Sequence, residues 1–254
     1  MLKRILGEAY EMGVRRVGLY TTGEMFLCKN IATHVRNAKE LGFTYIYADT
    51  NGALATKENM RKVLLAGLDS IKFSINAGTR ETYRYIHGKD DFEKVMKNLV
   101  DCYALREELG LSFKIMVSFV VTSKSEDEVE DFRQLIAPYI DELCIIGARI
   151  TFAQDPEVLS ELTPVKYEPY SPLSFCTPLF NRIHVTYDGF LTACCVDFNH
   201  DLLVADLKKV SLQEAWNCEN MTRLRERHLN KDLEGTMCYN CLTGEYHPYK
   251  PLSV

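Results

Sequence analysis

Residues 44–76, TYIYADT-NGALATKENMRKVLLAGLD-SIKFSIN, read as a strand, a helix and a second strand. The two outer runs are short and rich in β-branched and aromatic residues. The middle run carries helical spacing over 56–67, and Thr56 ahead of Lys57-Glu58-Asn59 is a helix-start signal. A strand, a helix and a strand in this order form one crossover of a parallel sheet. The same alternation extends both ways. Helix-like stretches cover 1–12, 29–41, 91–109 and 125–137, and strand-like runs cover 16–22, 113–122 and 142–150. Gly13 and Gly42 follow helices, as chain reversals favour. The strands read as apolar on both faces, which predicts a sheet covered by its crossover helices.

Ligands in such sheets bind at the C-terminal ends of the strands. Four loops leave those ends: Thr21-Thr22-Gly23-Glu24, Asp49-Thr50-Asn51-Gly52, Ser74-Ile75-Asn76-Ala77-Gly78 and Thr122-Ser123-Lys124-Ser125. Polar, glycine-containing loops are ordinary at such ends, but four on one rim predict a shared binding mouth.

The 254 residues carry 46% hydrophobic and 26% charged side chains, enough for a substantial core. With 30 Lys plus Arg against 35 Asp plus Glu, the net charge of −5 gives no electrostatic reason for a nucleic-acid or anionic-membrane partner. No run approaches the ~18 apolar residues of a membrane span. The opening MLKRILGEAYEMG lacks the apolar core of a signal peptide, so a cytoplasmic protein is expected. Glycine-rich phosphate loops of the GxGxxG and GxxxxGK types are absent, and so is HExxH.

Organisation changes after residue 150. Residues 151–175 hold four prolines and little periodicity, as a linker does, and from Cys176 the spacing is loop-like apart from one helical pattern over 211–230. The expected domains are therefore 1–150, a linker 151–175, and 176–254. Nine cysteines, an odd number, argue against a disulfide framework. Cys28, Cys102, Cys144 and Cys218 are scattered singly and read as small core residues. Cys176, Cys194, Cys195, Cys238 and Cys241 cluster late and read as ligands. Cys238-x-x-Cys241 sets two sulfurs on one tight turn, and Asp188-Gly189 is a hairpin signal that sets Cys194 on the second strand. Neighbours on a strand point to opposite faces, which favours Cys194 over Cys195. Four thiolates suit either zinc or an iron–sulfur cluster.

At this point the residues resemble a known family. The run from Cys176 resembles the SPASM domain of radical S-adenosylmethionine (SAM) enzymes. It does so through Cys176, Asp188-Gly189-Phe190-Leu191-Thr192-Ala193-Cys194-Cys195-Val196-Asp197, Ser211-Leu212-Gln213-Glu214-Ala215-Trp216, Leu224-Arg225 and Cys238-x-x-Cys241. The first 150 residues resemble the family's partial (β/α)6 barrel: Thr22-Gly23-Glu24 stands at its GGEP motif, Thr50-Asn51-Gly52 at its TNG, and Ser74-Ile75-Asn76-Ala77-Gly78 at its SLDG. Tyr83-Arg84-Tyr85-Ile86-His87-Gly88 fits the helix that follows. One departure is large. The family's CxxxCxxC, which holds the cluster that cleaves S-adenosylmethionine, occurs nowhere in the chain, which begins in what resembles the first barrel helix. A second is Met25, where the motif has Pro.

The resemblance implies an α/β fold: a TIM-like partial barrel missing its first strand, then a small iron–sulfur SPASM-like domain. It implies one auxiliary 4Fe–4S cluster on Cys176, Cys194, Cys238 and Cys241. S-adenosylmethionine would be held by Gly23, Glu24, Ser74 and Asn76. The implied function is an oxidoreductase-like one, modifying a peptide or a small molecule, sugar-derived ones included, by 5′-deoxyadenosyl-radical hydrogen abstraction. The implied electron donor is of the flavodoxin or ferredoxin kind. The absent CxxxCxxC leads us to expect an N-terminally truncated form. The alternative is a degenerate, non-catalytic homologue that serves as a binding or scaffold protein with one structural metal site.

Overall fold

The computed structural model describes residues 1–148, 161–167, 174–244 and 246–252. The described residues form two compact units. One comprises 15–148 and 161–167; the other comprises 174–252 together with the N-terminal helix α1 (Leu2–Glu11). The sequence places residues 1–14 in the first domain, whereas by contact they cluster with the C-terminal residues. The cause is visible in α1. Its apolar Ile5, Leu6 and Ala9 are buried, and Glu8 accepts a hydrogen bond from Leu212 N at 2.6 Å. Arg4 also donates to the Leu207 carbonyl. Most of the expected linker lies outside the described residues. Residues 161–167 do not: Glu126 accepts from Val165 N at 2.8 Å and Lys166 N at 2.9 Å, tying them to the first unit.

That unit is built on a five-stranded parallel sheet whose order follows the chain, β1 (Arg16–Gly18), β2 (Tyr45–Thr50), β3 (Ser70–Ser74), β4 (Lys114–Val121) and β5 (Glu142–Gly147). The crossovers carry α2 (Ile31–Leu41), α3 (Lys57–Leu65), α4 (Arg80–His87), α5 (Phe92–Leu109) and α6 (Val129–Ile136). Parallel neighbours joined in sequence by helices are the construction of an α/β barrel wall. Thr56 caps α3 by accepting from Asn59 N, as its sequence position predicts. β1 stops at Gly18, short of the expected 22.

Only one face of this sheet is apolar and buried. Ile46 and Ala48, Ile71 and Phe73, and Ile115, Val117, Phe119 and Val121 are all essentially inaccessible. Alternating with them, Tyr45, Tyr47, Asp49, Lys72, Ser74, Met116 and Val120 stay half-buried. The expectation of strands apolar on both faces is thus corrected. A barrel wall keeps its second face for its interior, and here that interior carries polar groups.

The second unit holds an antiparallel sheet, β6 (His184–Val185), β7 (Phe190–Thr192) and β8 (Leu203–Asp206). Besides α1, the described residues of this unit carry α7 (Pro178–Asn181), α8 (Leu212–Trp216), α9 (Glu219–Leu229) and α10 (Met237–Thr243). The hairpin turns at Asp188-Gly189, where Gly189 takes φ 91°, a region open to glycine without strain. The single helix expected over 211–230 is two. Ser211 and Glu214 form a capping box on α8, and extended backbone at Cys218 opens α9. Among the described residues, no helix is long and apolar enough to cross a membrane.

Candidate functional site

The four proposed ligands meet at one place. Cys176, Cys194, Cys238 and Cys241 all line one partly open cavity, whose remaining wall is Leu179, Ala193, Leu202, Met237, Leu242 and His228. Each thiol arrives on a different local device. Cys176 immediately precedes the turn into α7. Cys194 lies two residues beyond the end of β7, not on the strand as expected. The turn that holds it is organised by Asp197, a buried carboxylate that accepts from Thr192 Oγ1 at 2.7 Å, Asp201 N at 2.6 Å and Leu202 N at 3.0 Å. Cys238 and Cys241 sit within α10, three residues apart on one helical face, instead of on a tight turn. Thr236 caps that helix by accepting from Tyr239 N.

Cys195 is exposed and does not line the cavity. A hydrogen bond with the Cys194 thiol pulls the Cys195 thiol down to about 6, and the same bond together with burial pushes Cys194 up. Burial also raises Cys176, and it carries Cys238 to about 12. The cavity therefore holds neutral thiols that release protons when a cation binds them. Among the described residues, no three His, Cys, Asp or Glu side chains converge closely enough for a single metal ion. Zinc would require its sulfurs ~2.3 Å from one centre. Four thiols lining one cavity are a donor set that zinc and an iron–sulfur core both accept.

The other unit carries the four proposed cofactor residues at the C-terminal ends of β1 (Gly23, Glu24) and β3 (Ser74, Asn76). Gly23 is exposed, and a Cβ there would meet nothing, so its backbone is open to approach. Glu24 is engaged internally: its carboxylate accepts from Phe26 N at 3.0 Å, Thr50 Oγ1 at 2.9 Å and Asn51 N at 2.8 Å. It thereby clamps the loop after β1 onto the end of β2. Ser74 Oγ accepts from Ser118 Oγ at 3.2 Å. Asn76 adopts φ 61° and uses Oδ1 to accept from Val120 N at 2.9 Å, extending the β3–β4 pairing by a side chain. These contacts shape the rim from within. Gly78 is required for close approach, because a Cβ would stand 2.8 Å from Cβ of Glu128.

Comparison with known proteins matches residues 1–136 to the radical SAM superfamily and residues 176–242 to SPASM, an iron–sulfur cluster-binding domain. The chain belongs to the radical SAM superfamily. A probable GTP 3′,8-cyclase of Saccharolobus islandicus is 35% identical over 240 residues, covering 81% of this chain and 75% of that protein. One of Metallosphaera sedula is 28% identical over 86% of this chain and 74% of that protein. Among solved structures, SuiB of Streptococcus suis matches with a TM-score of 0.69 at 15% identity, covering 99% of this chain and 69% of that one. BtrN in complex with AdoMet and 2-DOIA matches at 0.56 and 16%, covering 98% and 83%. A radical SAM enzyme with a SPASM domain implies S-adenosylmethionine and iron–sulfur clusters as cofactors. The four-thiol cavity fits the SPASM cluster by its donor chemistry.

The inner face of this radical SAM barrel also carries a group that the sequence pattern does not announce. Asp49 and Lys72 lie in register on β2 and β3, paired at 2.7 Å, and Lys72 stands over the ring of Tyr20. Tyr20 meets Tyr47 edge-on at 5.8 Å, an approach that leaves room only for Gly18 between them. The signal was the period of two in Tyr45, Tyr47, Asp49 and in Lys72, Ser74, which the apolar composition of the strands masked. Burial raises the Asp49 carboxyl despite the lowering pull of Lys72. Lys72→Met should therefore cost about 1–2 kcal/mol at neutral pH by leaving the carboxylate unpaired. The deficit should shrink as pH falls. Asp49 then takes up its proton in the folded state above its ordinary value of ~3.9, before the unfolded chain does. Urea unfolding at several pH values checks this, and a deficit that grows on acidification refutes it.

Proposed function

We propose that this chain provides the S-adenosylmethionine- and substrate-binding barrel and the auxiliary-cluster domain of a radical SAM/SPASM oxidoreductase, which takes a hydrogen atom from a peptide or small-molecule substrate lodged on the polar inner face of that barrel. The observation that carries the reading is the gathering of Cys176, Cys194, Cys238 and Cys241 around one cavity, in a chain that belongs to this superfamily. S-adenosylmethionine, when bound and reductively cleaved, supplies the hydrogen-abstracting radical. The residues of this chain bind and orient. Gly23 and the loop clamped by Glu24 offer backbone to the cofactor's amino group, while Ser74 and the amide of Asn76 face its carboxylate or ribose. Asp49 and Lys72 offer a paired acceptor and donor to the substrate. The four thiolates hold the auxiliary cluster. The sequence contains no CxxxCxxC, so its own cysteines do not fit the cluster that cleaves S-adenosylmethionine. The electron donor would be a flavodoxin or ferredoxin, and thiolate-held iron suits the reducing cytoplasm.

Anaerobic reconstitution tests the cluster. It should load about four iron and four sulfide per chain with broad visible absorbance, as four-cysteine ligation of a 4Fe–4S core requires. One zinc per chain in a colourless protein would sink the assignment.

A nucleotide substrate is the second reading, favoured by relatives named as probable GTP 3′,8-cyclases. Against it, Lys72 is already paired with Asp49, and a triphosphate needs unneutralised cations. Equilibrium binding of GTP against a neutral peptide separates the two readings.

A further inference from the structure

Helix α9 buries three side chains on one face, Met221, Leu224 and His228. The first two fill the core as apolar groups should. His228 is 5% exposed, and neither Nδ1 nor Nε2 has a hydrogen-bond partner. Leucine would fill the same space with nothing left unsatisfied, so a buried histidine with two orphaned nitrogens needs a reason. The reason stands beside it: His228 lines the cavity that gathers Cys176, Cys194, Cys238 and Cys241. In either of its neutral tautomers the ring carries one N–H donor.

We propose that His228 is a positioning residue for the auxiliary cluster, donating an N–H hydrogen bond to one of its sulfurs and so raising its reduction potential. The proposal rests on the cluster assignment made above. Four cysteines already supply four iron corners, which leaves the imidazole no corner to ligate. Sulfide and thiolate sulfurs are the acceptors such a cavity would gain on loading. Reduction adds an electron to the core and makes those sulfurs more negative. A hydrogen bond to them therefore strengthens in the reduced state and favours it.

The test uses the full chain, reconstituted anaerobically, as wild type, His228→Leu and His228→Gln. Iron and sulfide are measured first, and the one-electron couple is then titrated with dithionite under EPR. Both variants should load the wild-type iron content. At the wild-type midpoint poise, the reduced-to-oxidised ratio of His228→Leu should fall about tenfold, a shift of ~59 mV to more negative potential. His228→Gln keeps an N–H donor and should recover most of it. In wild type labelled with 15N-histidine, pulsed EPR of the reduced cluster should show a weak nitrogen coupling that His228→Leu abolishes. An unchanged potential in His228→Leu overturns the proposal, as does absence of the coupling or a coupling of the strength of direct iron ligation. If His228→Leu fails to load iron, the presence or absence of the coupling in wild type decides between the two outcomes. If wild type itself loads none, the cluster assignment falls first, and the proposal with it.

Discussion

Cys194→Ala should strip the auxiliary cluster, taking iron from about four per chain to about one or fewer, while Cys195→Ala should leave it in place. The two residues are chain neighbours of identical chemistry, so the contrast is a stringent one. Only Cys194 lines the cavity, and Cys195 is exposed outside it. By thiolate character alone the order would reverse, because the hydrogen bond from Cys194 makes Cys195 the more acidic of the pair. Position outranks acidity here, since a cluster exerts a far stronger pull on a thiol proton than one neighbouring sulfur does. The consequence extends to stability. The second unit is small and its core is interrupted by the cavity, so the free energy of cluster binding becomes folding free energy. If the cluster contributes about 3 kcal/mol to that unit, its thermal midpoint should fall by roughly 12–24 °C in Cys194→Ala. Iron assay and calorimetry on the reconstituted proteins provide the check. Iron retained by Cys194→Ala and lost by Cys195→Ala would overturn the ligand assignment.

Periodicity made the first unit legible because parallel strands and their crossover helices write two distinct repeats into the chain, and the observed β2, α3 and β3 fall within the expected 44–50, 56–67 and 70–76. Its inner face was harder to read. Tyr45, Tyr47 and Lys72 look apolar or amphipathic in composition, and only register shows that Asp49 meets Lys72. In the second unit the cysteines stood out by spacing, but the surrounding devices did not. The break falls where Asn217 ends α8 and extended backbone at Cys218 starts α9, a local change that apolar spacing does not report. Cys194 left its strand because Asp197 draws the chain into a turn just beyond it. His228 was invisible for a different reason. At the end of a helix with Arg223, Arg225 and Arg227, a histidine reads as one more cation on a solvated face, and only its burial with Met221 and Leu224 shows otherwise.

Asp197→Ala should destabilise the second unit by about 3–5 kcal/mol, because it leaves the Asp201 and Leu202 amides without their acceptor and takes one of two acceptors from Thr192 Oγ1. The carboxylate is 4% exposed, and its two oxygens satisfy three donors: Thr192 Oγ1, Asp201 N and Leu202 N. Leu202 and Thr192 are themselves buried, so water does not replace the lost acceptor freely. Asp197→Asn preserves the shape but turns one acceptor oxygen into a donor facing another donor, which should cost about 2–3 kcal/mol. These losses carry beyond stability. Asp197 closes the turn that presents Cys194, whose own N–H reaches Thr192 Oγ1 at 3.4 Å and whose carbonyl accepts from Asp197 N at 3.4 Å. Asp197→Ala should therefore lower iron content although no ligand has been touched. Asp201→Ala is the control: it removes a carboxylate that accepts from Tyr249 Oη at 2.9 Å but leaves the turn's backbone bonds intact, so it should cost about 1 kcal/mol and hold its iron. Urea unfolding with iron assay on all four proteins distinguishes the cases. An Asp197→Ala variant within about 0.5 kcal/mol of wild type would mean that this carboxylate does not hold the turn.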